Sequence, residues 1–139
     1  GYLHWGHDIS PEENQYQAGL QFAISYKKNI DFIGKQALLK IKDQKPTKKL
    51  LMFTLDESKP GYPLMLHDEP IYSNDKIIGR TTSCNYSFNS NKNLAYGYVA
   101  SNYSTQTLKD KSIFIEIEKK KFAATVLTTS LNNKNLKDV

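Results

Sequence analysis

Isoleucines at 113, 115 and 117 alternate with Phe114, Glu116 and Glu118. A period of two is that of a strand with one buried face, so residues 112–118 read as a strand with Ile113, Ile115 and Ile117 inward. A lysine turn, Lys119-Lys120-Lys121, then returns the chain along a second strand at 122–128. Further strands are expected at 49–55 and 94–99. A hairpin is expected in which 69–72 and 76–83 flank Ser73-Asn74-Asp75. Pro60, Gly61 and Pro63 mark a loop. Six or so short strands without intervening helices predict a small antiparallel barrel or sandwich. The polar tail from Asn132 is expected to fray.

The first 45 or so residues are patterned differently. Ser10 before Pro11, Glu12 and Glu13 is a helix-start signal, for a helix that need be only one turn. After Gly19, residues 20–26 read as a strand with Leu20, Phe22 and Ile24 on one face. Asp31 is placed to cap a helix over 32–43, with Ile33, Ala37, Leu38 and Ile41 on one side and Pro46 ending it. The fold class is therefore mostly β with one helix. The chain divides into a mixed segment, 1–45, and a β-module, 46–139. The mixed segment is too short to bury a core of its own. It is expected to be the end of a preceding domain in a longer protein, and to leave an unusual amount of apolar surface exposed.

Composition narrows the function classes. Hydrophobic residues make up 39% and charged residues 24% of 139 residues, as in globular proteins. No apolar run reaches the roughly 18 residues of a membrane span, so no membrane partner is expected. The opening residues have neither a basic nor an apolar signal region. The single Cys84 leaves no internal disulfide framework and suits a reducing compartment, so a cytoplasmic location is expected. The formal charge is +5, yet Arg80 is the only arginine and the lysines are scattered. Nucleic-acid readers usually cluster arginines for bidentate contacts, so the lysines read as a solvated surface and nucleic acid is not expected as a partner.

No self-sufficient active site is legible. His4, His7 and His67 lack metal-ligand spacing, and no catalytic or metal-binding residue is assigned. Cys84, flanked by Ser83 and Asn85, is read as a small packed residue. Glu12-Glu13 and Asp56-Glu57 are read as surface charges, and Gly79 and Gly97 are too isolated to cradle phosphate. The cluster of Tyr2, Trp5 and His7 has two readings: flat rings walling a pocket for a planar heteroaromatic ligand, or a domain-packing patch. On composition alone the packing patch is favoured.

One resemblance shifts that balance. Trp5-Gly6-His7-Asp8-Ile9, Ala18-Gly19-Leu20 and the run Asp31-Phe32-Ile33-Gly34-Lys35-Gln36-Ala37-Leu38 resemble a stretch of glycine-cleavage T-proteins, the aminomethyltransferases. Further on, Ile78-Gly79-Arg80-Thr81-Thr82-Ser83 and Ala95-Tyr96-Gly97-Tyr98-Val99 are similar to that family's Ile-Gly-x-x-Thr-Ser-Gly loop and Ala-x-Gly-Tyr-Val strand. The match runs in order through nearly all of the chain. His4 to Asp8, and Glu69-Pro70-Ile71, further resemble the folate-binding portion of dimethylglycine and sarcosine dehydrogenases.

The resemblance implies the T-protein C-terminal barrel, preceded by the end of the folate-binding domain. It implies tetrahydrofolate as cofactor in the parent protein, with FAD on an N-terminal domain in the dehydrogenase case. The partner implied is the upstream T-protein layers of the same chain, which carry the catalytic aspartate. It places Tyr2 close to the folate, with Trp5 and His7 flanking the site. It puts Lys48 and Lys49 where relatives carry basic residues, to meet a glutamyl tail or to remain solvated; solvation is the simpler reading. Cys84 stands where the family has glycine, and would be strained if that glycine has positive φ. The competing class is a non-catalytic basic barrel that docks a protein or nucleic acid.

Overall fold

In a computed structural model, the structure describes residues 2–127. The expected strand end at Thr128 and the tail from Asn132 lie outside the described residues. Six antiparallel strands form a closed barrel: β1 (Lys48–Leu55), β2 (Pro70–Ser73), β3 (Lys76–Ser87), β4 (Lys92–Ala100), β5 (Ile113–Ile117) and β6 (Lys120–Leu127). Their order around the wall is β1-β4-β3-β2-β5-β6, and β6 pairs back onto β1 through Phe53 with Val126 and Leu55 with Ala124. Of the two shapes left open by the sequence, the barrel is the one adopted.

Alternation decides what the barrel holds. Ile113, Ile115 and Ile117 of β5 point inward, as do Phe122, Ala124 and Val126 of β6 and Ala95 and Val99 of β4. Phe53, Leu55, Ile71 and Ile115 are almost wholly withdrawn from water, each such side chain contributing about 1.5–3 kcal/mol of transfer free energy. The β5–β6 turn places Glu118 (φ 49°) and Lys119 (φ 63°) both in the left-handed region, the twist a two-residue hairpin needs. Between β4 and β5 lies a four-residue helix, α2 (Thr105–Leu108). Ser104 caps it by accepting from the Thr107 N–H, and Leu108 enters the core. Its apolar content, one leucine, is too small to show as a helical period.

Two glycines fit the wall by lacking a side chain. A Cβ on Gly79 of β3 would lie 1.9 Å from the Tyr98 carbonyl oxygen, and one on Gly97 of β4 would lie 2.7 Å from that of Arg80. Cys84 stands within β3 opposite Ala95, and is not among the residues with positive φ. The strain that a positive φ would have brought is absent, because the position is extended strand.

The segment before β1 departs from expectation in one element. Residues 20–26 form no strand; they hold a 3-10 turn, Gln21–Ala23, with Phe22 exposed. A lone strand has no ladder for its backbone groups, whereas here Ala23 N–H donates to Leu20 and Ile24 N–H to Gln21. The expected helix is present as α1 (Lys35–Ile41), shorter than its apolar pattern, with Gly34 (φ 90°) rather than Asp31 at its N-terminus. None of its residues is buried, and Ile33 is fully exposed. Seven of the twelve large apolar side chains left exposed among the described residues lie before residue 45.

Candidate functional site

The site begins with a tight loop. His4 C=O accepts from the N–H groups of Asp8 at 2.8 Å and His7 at 3.3 Å, while Gly6 N–H donates to Ile9 C=O at 2.8 Å. Gly6 sits at φ 92°, which a side chain would oppose. The loop folds Asp8 inward until only 1% of it remains exposed. A buried carboxylate needs partners on both oxygens. One oxygen accepts from His4 N–H at 2.8 Å; the other accepts from Thr82 Oγ1 at 2.5 Å and Ser83 Oγ at 2.7 Å, both on β3. Tyr98 of β4 adds a fourth tie, its hydroxyl donating to the Asp8 carbonyl at 2.9 Å.

A second tie lies alongside. Glu13 accepts from Ser10 Oγ at 2.6 Å and from Lys48 Nζ of β1 at 2.6 Å. The helix-start signal at Ser10 is thus a single turn closed by Glu13. Burial pushes the Glu13 carboxyl up, but the bonds from Lys48 and Ser10 outweigh it and hold the group below the usual carboxylate range. The Lys48 ammonium also lies 4.5 Å from the centre of the Tyr98 ring. Tyr98 is in turn raised, by burial first and by the negative charges of Glu13 and Asp8 after it. Lys48 is therefore engaged within the chain rather than solvated.

On this anchored loop the three expected site residues take different positions. Tyr2 is 89% exposed and overhangs a cavity of about 300 Å³ walled by Met52, Cys84, Asn85 and Tyr96. Trp5 is 66% exposed and bridges to Ile9. His7 is not part of that cavity's lining; it is stacked on His4 at 4.6 Å between ring centres and tilted against His67 at 6.1 Å. Among the described residues no group of three or more His, Cys, Asp or Glu is disposed to hold a metal. Cys84 Sγ lies 3.9 Å from Glu69. Its thiol is pushed up to about 12, by burial first and the Glu69 charge second, which leaves it protonated and a poor nucleophile.

The residues that fix the loop, Asp8, Thr82, Ser83 and Tyr98, are absent from the expected site residues. Their signal was present in the Gly-x-Asp and Thr-Ser pairs, which the fold brings together across 74 residues.

Residues 48–131 match the family of the glycine cleavage T-protein C-terminal barrel domain. The chain belongs to this family. It is 40% identical over 98 residues to an aminomethyltransferase of Symbiobacterium thermophilum, covering 68% of this chain and 24% of that protein. It is 38% identical over 97 residues to the mitochondrial dimethylglycine dehydrogenase of Homo sapiens, covering 68% of this chain and 11% of that one. The chain thus spans a quarter or less of the length of these relatives. In fold it is similar to the glycine cleavage system aminomethyltransferase T of Bartonella henselae, with a TM-score of 0.75 at 22% identity, over 94% of this chain and 34% of that one. The T-protein barrel is accordingly the core built by β1 to β6, and the anchored loop lies outside the matched family span.

Proposed function

We propose that the chain is the C-terminal part of a tetrahydrofolate-dependent one-carbon-transfer protein, and that it closes one wall of the folate cavity. The observation that carries this reading is the anchored loop: rings that nothing in the barrel core requires are held outward on a backbone tied to three strands. Flat aromatic faces on a fixed loop suit a planar pterin better than a mobile surface would. The fit is that of a wall. The cavity under Tyr2 has about 300 Å³, the lower end of what small-molecule pockets enclose, so the remaining contacts belong to upstream polypeptide.

Bound tetrahydrofolate would supply the amine that accepts the one-carbon unit. This chain's share is positioning: Tyr2 against the ligand, with Trp5 and His7 beside it, and no proton-transferring group of its own. In this reading residues 1–45 are the end of the folate-binding domain, the exposed apolar side chains before residue 45 meet the upstream layers, and residues 46–139 are the barrel domain. A flavin, in a dehydrogenase parent, belongs elsewhere in that protein. Among the described residues no glycine-rich turn leads from a strand into a helix, as dinucleotide binding needs. A cytoplasmic location remains part of the proposal. What the described residues show is that no helix is long and apolar enough to cross a membrane.

The test is a calorimetric titration of tetrahydrofolate into the full-length protein and its Tyr2→Ala variant. Saturable heat is expected, with affinity about tenfold weaker in the variant, the size of one lost ring contact. A folded protein that gives no heat overturns the folate reading and favours the docking module.

A further inference from the structure

Between Thr81 and Ser83 the register of β3 against β4 slips. Thr81 pairs with Gly97 and Ser83 with Tyr96, so Thr82 is an extra residue on its strand. In a regular strand Thr82 and Ser83 would face opposite sides of the wall. The bulge turns them together, and both hydroxyls reach the same oxygen of Asp8, at 2.5 and 2.7 Å. Bulges re-aim side chains in this way and are over-represented beside functional sites. Thr81, the residue before, exchanges hydrogen bonds with Glu69 instead, so the pair is separated from its neighbour by what it binds.

We infer that the Thr82–Ser83 bulge is a receptor for Asp8, and that Asp8 is a positioning residue that sets the loop carrying Tyr2, Trp5 and His7 against the barrel. This rests on the folate reading above for its functional consequence, but not for the latch itself. The geometry singles out Asp8 for three reasons. It is the one loop residue buried among the described residues from 2 to 9. Its carboxylate receives three donors, one from within the loop and two from the bulge. Its backbone is held separately by Tyr98, so the side chain is not needed merely to keep the segment near the wall. The carboxylate fixes orientation, because its two oxygens address different elements. Without it the loop would stay tethered at Asp8 C=O and at Glu13, yet the rings would sample several directions.

The experiment uses the full-length protein, with Asp8→Ala, Thr82→Val and Thr82→Ser. Amide exchange by mass spectrometry is read over residues 2–9 and over β1, and tetrahydrofolate affinity and turnover are measured in parallel. Removing Asp8 is expected to speed exchange in 2–9 about tenfold or more, as the loss of hydrogen bonds to a charged group implies. Exchange in β1 should not change. KM for folate should rise by a similar factor while kcat is kept. Thr82→Val, which keeps shape and deletes one hydroxyl, should go part of the way; Thr82→Ser should behave as wild type. Should Asp8→Ala fail to fold, the valine and serine variants carry the same comparison. Unchanged exchange in 2–9, or serine as harmful as valine, overturns the latch. Absence of folate binding by the wild type strikes the functional reading instead, and leaves the exchange result to decide the latch.

Discussion

The ammonium of Lys48, on β1, lies 4.5 Å from the centre of the Tyr98 ring, on β4, and 2.6 Å from a Glu13 oxygen. One cation thus joins the segment before the barrel to two adjacent strands. Tyr98 does double duty, since its hydroxyl reaches the Asp8 carbonyl at 2.9 Å. Replacing Tyr98 by Phe keeps the ring under Lys48 and removes only the hydroxyl. We expect a loss of about 1 kcal/mol in urea denaturation, and about twice that for Tyr98→Leu, which also removes the cation–π contact. Equal losses in the two variants would remove the ring from the account.

Glu13 makes the same junction sensitive to acid. Its carboxyl sits below its ordinary value of 4.5 in the folded chain, so the folded state binds this proton less readily than the unfolded one. The stabilisation is fully present above about pH 4.5 and is lost as pH falls through the lower folded value. Glu13→Gln should therefore lower the urea midpoint at pH 7 and narrow its difference from wild type at pH 3. A constant difference across that range would contradict the assignment.

Gly79 predicts a stability limit. An alanine there would place Cβ 1.9 Å from the Tyr98 carbonyl oxygen, an atom of the barrel wall with no freedom to retreat. Gly79→Ala is expected to cost about 3 kcal/mol or to prevent folding. A variant melting within about 1 °C of wild type would show that the β3–β4 pair separates easily.

Cys84 should be silent. With its thiol raised to about 12 by burial and by Glu69, it should resist iodoacetamide at pH 8 in the native protein and react once denaturant is added. Peptide mapping of the alkylated site is the check. Rapid native labelling would contradict a thiol held protonated by burial and by Glu69.

Ile33 tests the upstream contact. It is fully exposed here, and under the proposed reading it is covered in the full-length protein. Ile33→Ser should then lower thermal stability of that protein by about 1–2 kcal/mol. No change would place this face in water and withdraw the domain-packing part of the proposal.

The barrel was legible because its interior is written locally. Ile113, Ile115 and Ile117 announce their strand within five residues, and Ser73-Asn74-Asp75 announces the hairpin, with Asn74 at φ 55°. The segment 20–26 has an equally good alternating face in Phe22 and Ile24, but a strand also needs a neighbour to bond to, which no local pattern reveals. The site was legible only in part. Tyr2, Trp5 and His7 stood out as rings, and the family resemblance gave them a purpose. Asp8 did not stand out, since its partners lie 74 and 75 positions away and depend on a bulge that no hydrophobic period records. His67 was likewise remote from His7 in sequence and adjacent in space.

Because β6 pairs back onto β1, the barrel wall closes on the module's own strands. Neighbouring polypeptide then joins it through side chains and single backbone bonds, such as that from Leu50 N–H to Gln17 C=O at 2.9 Å, rather than by adding a strand. A unit closed in this way does not compete for backbone pairing with the polypeptide it is joined to. That is consistent with its likeness to part of an aminomethyltransferase, where the alignment spans 24% of the length, and to part of a dehydrogenase, where it spans 11%.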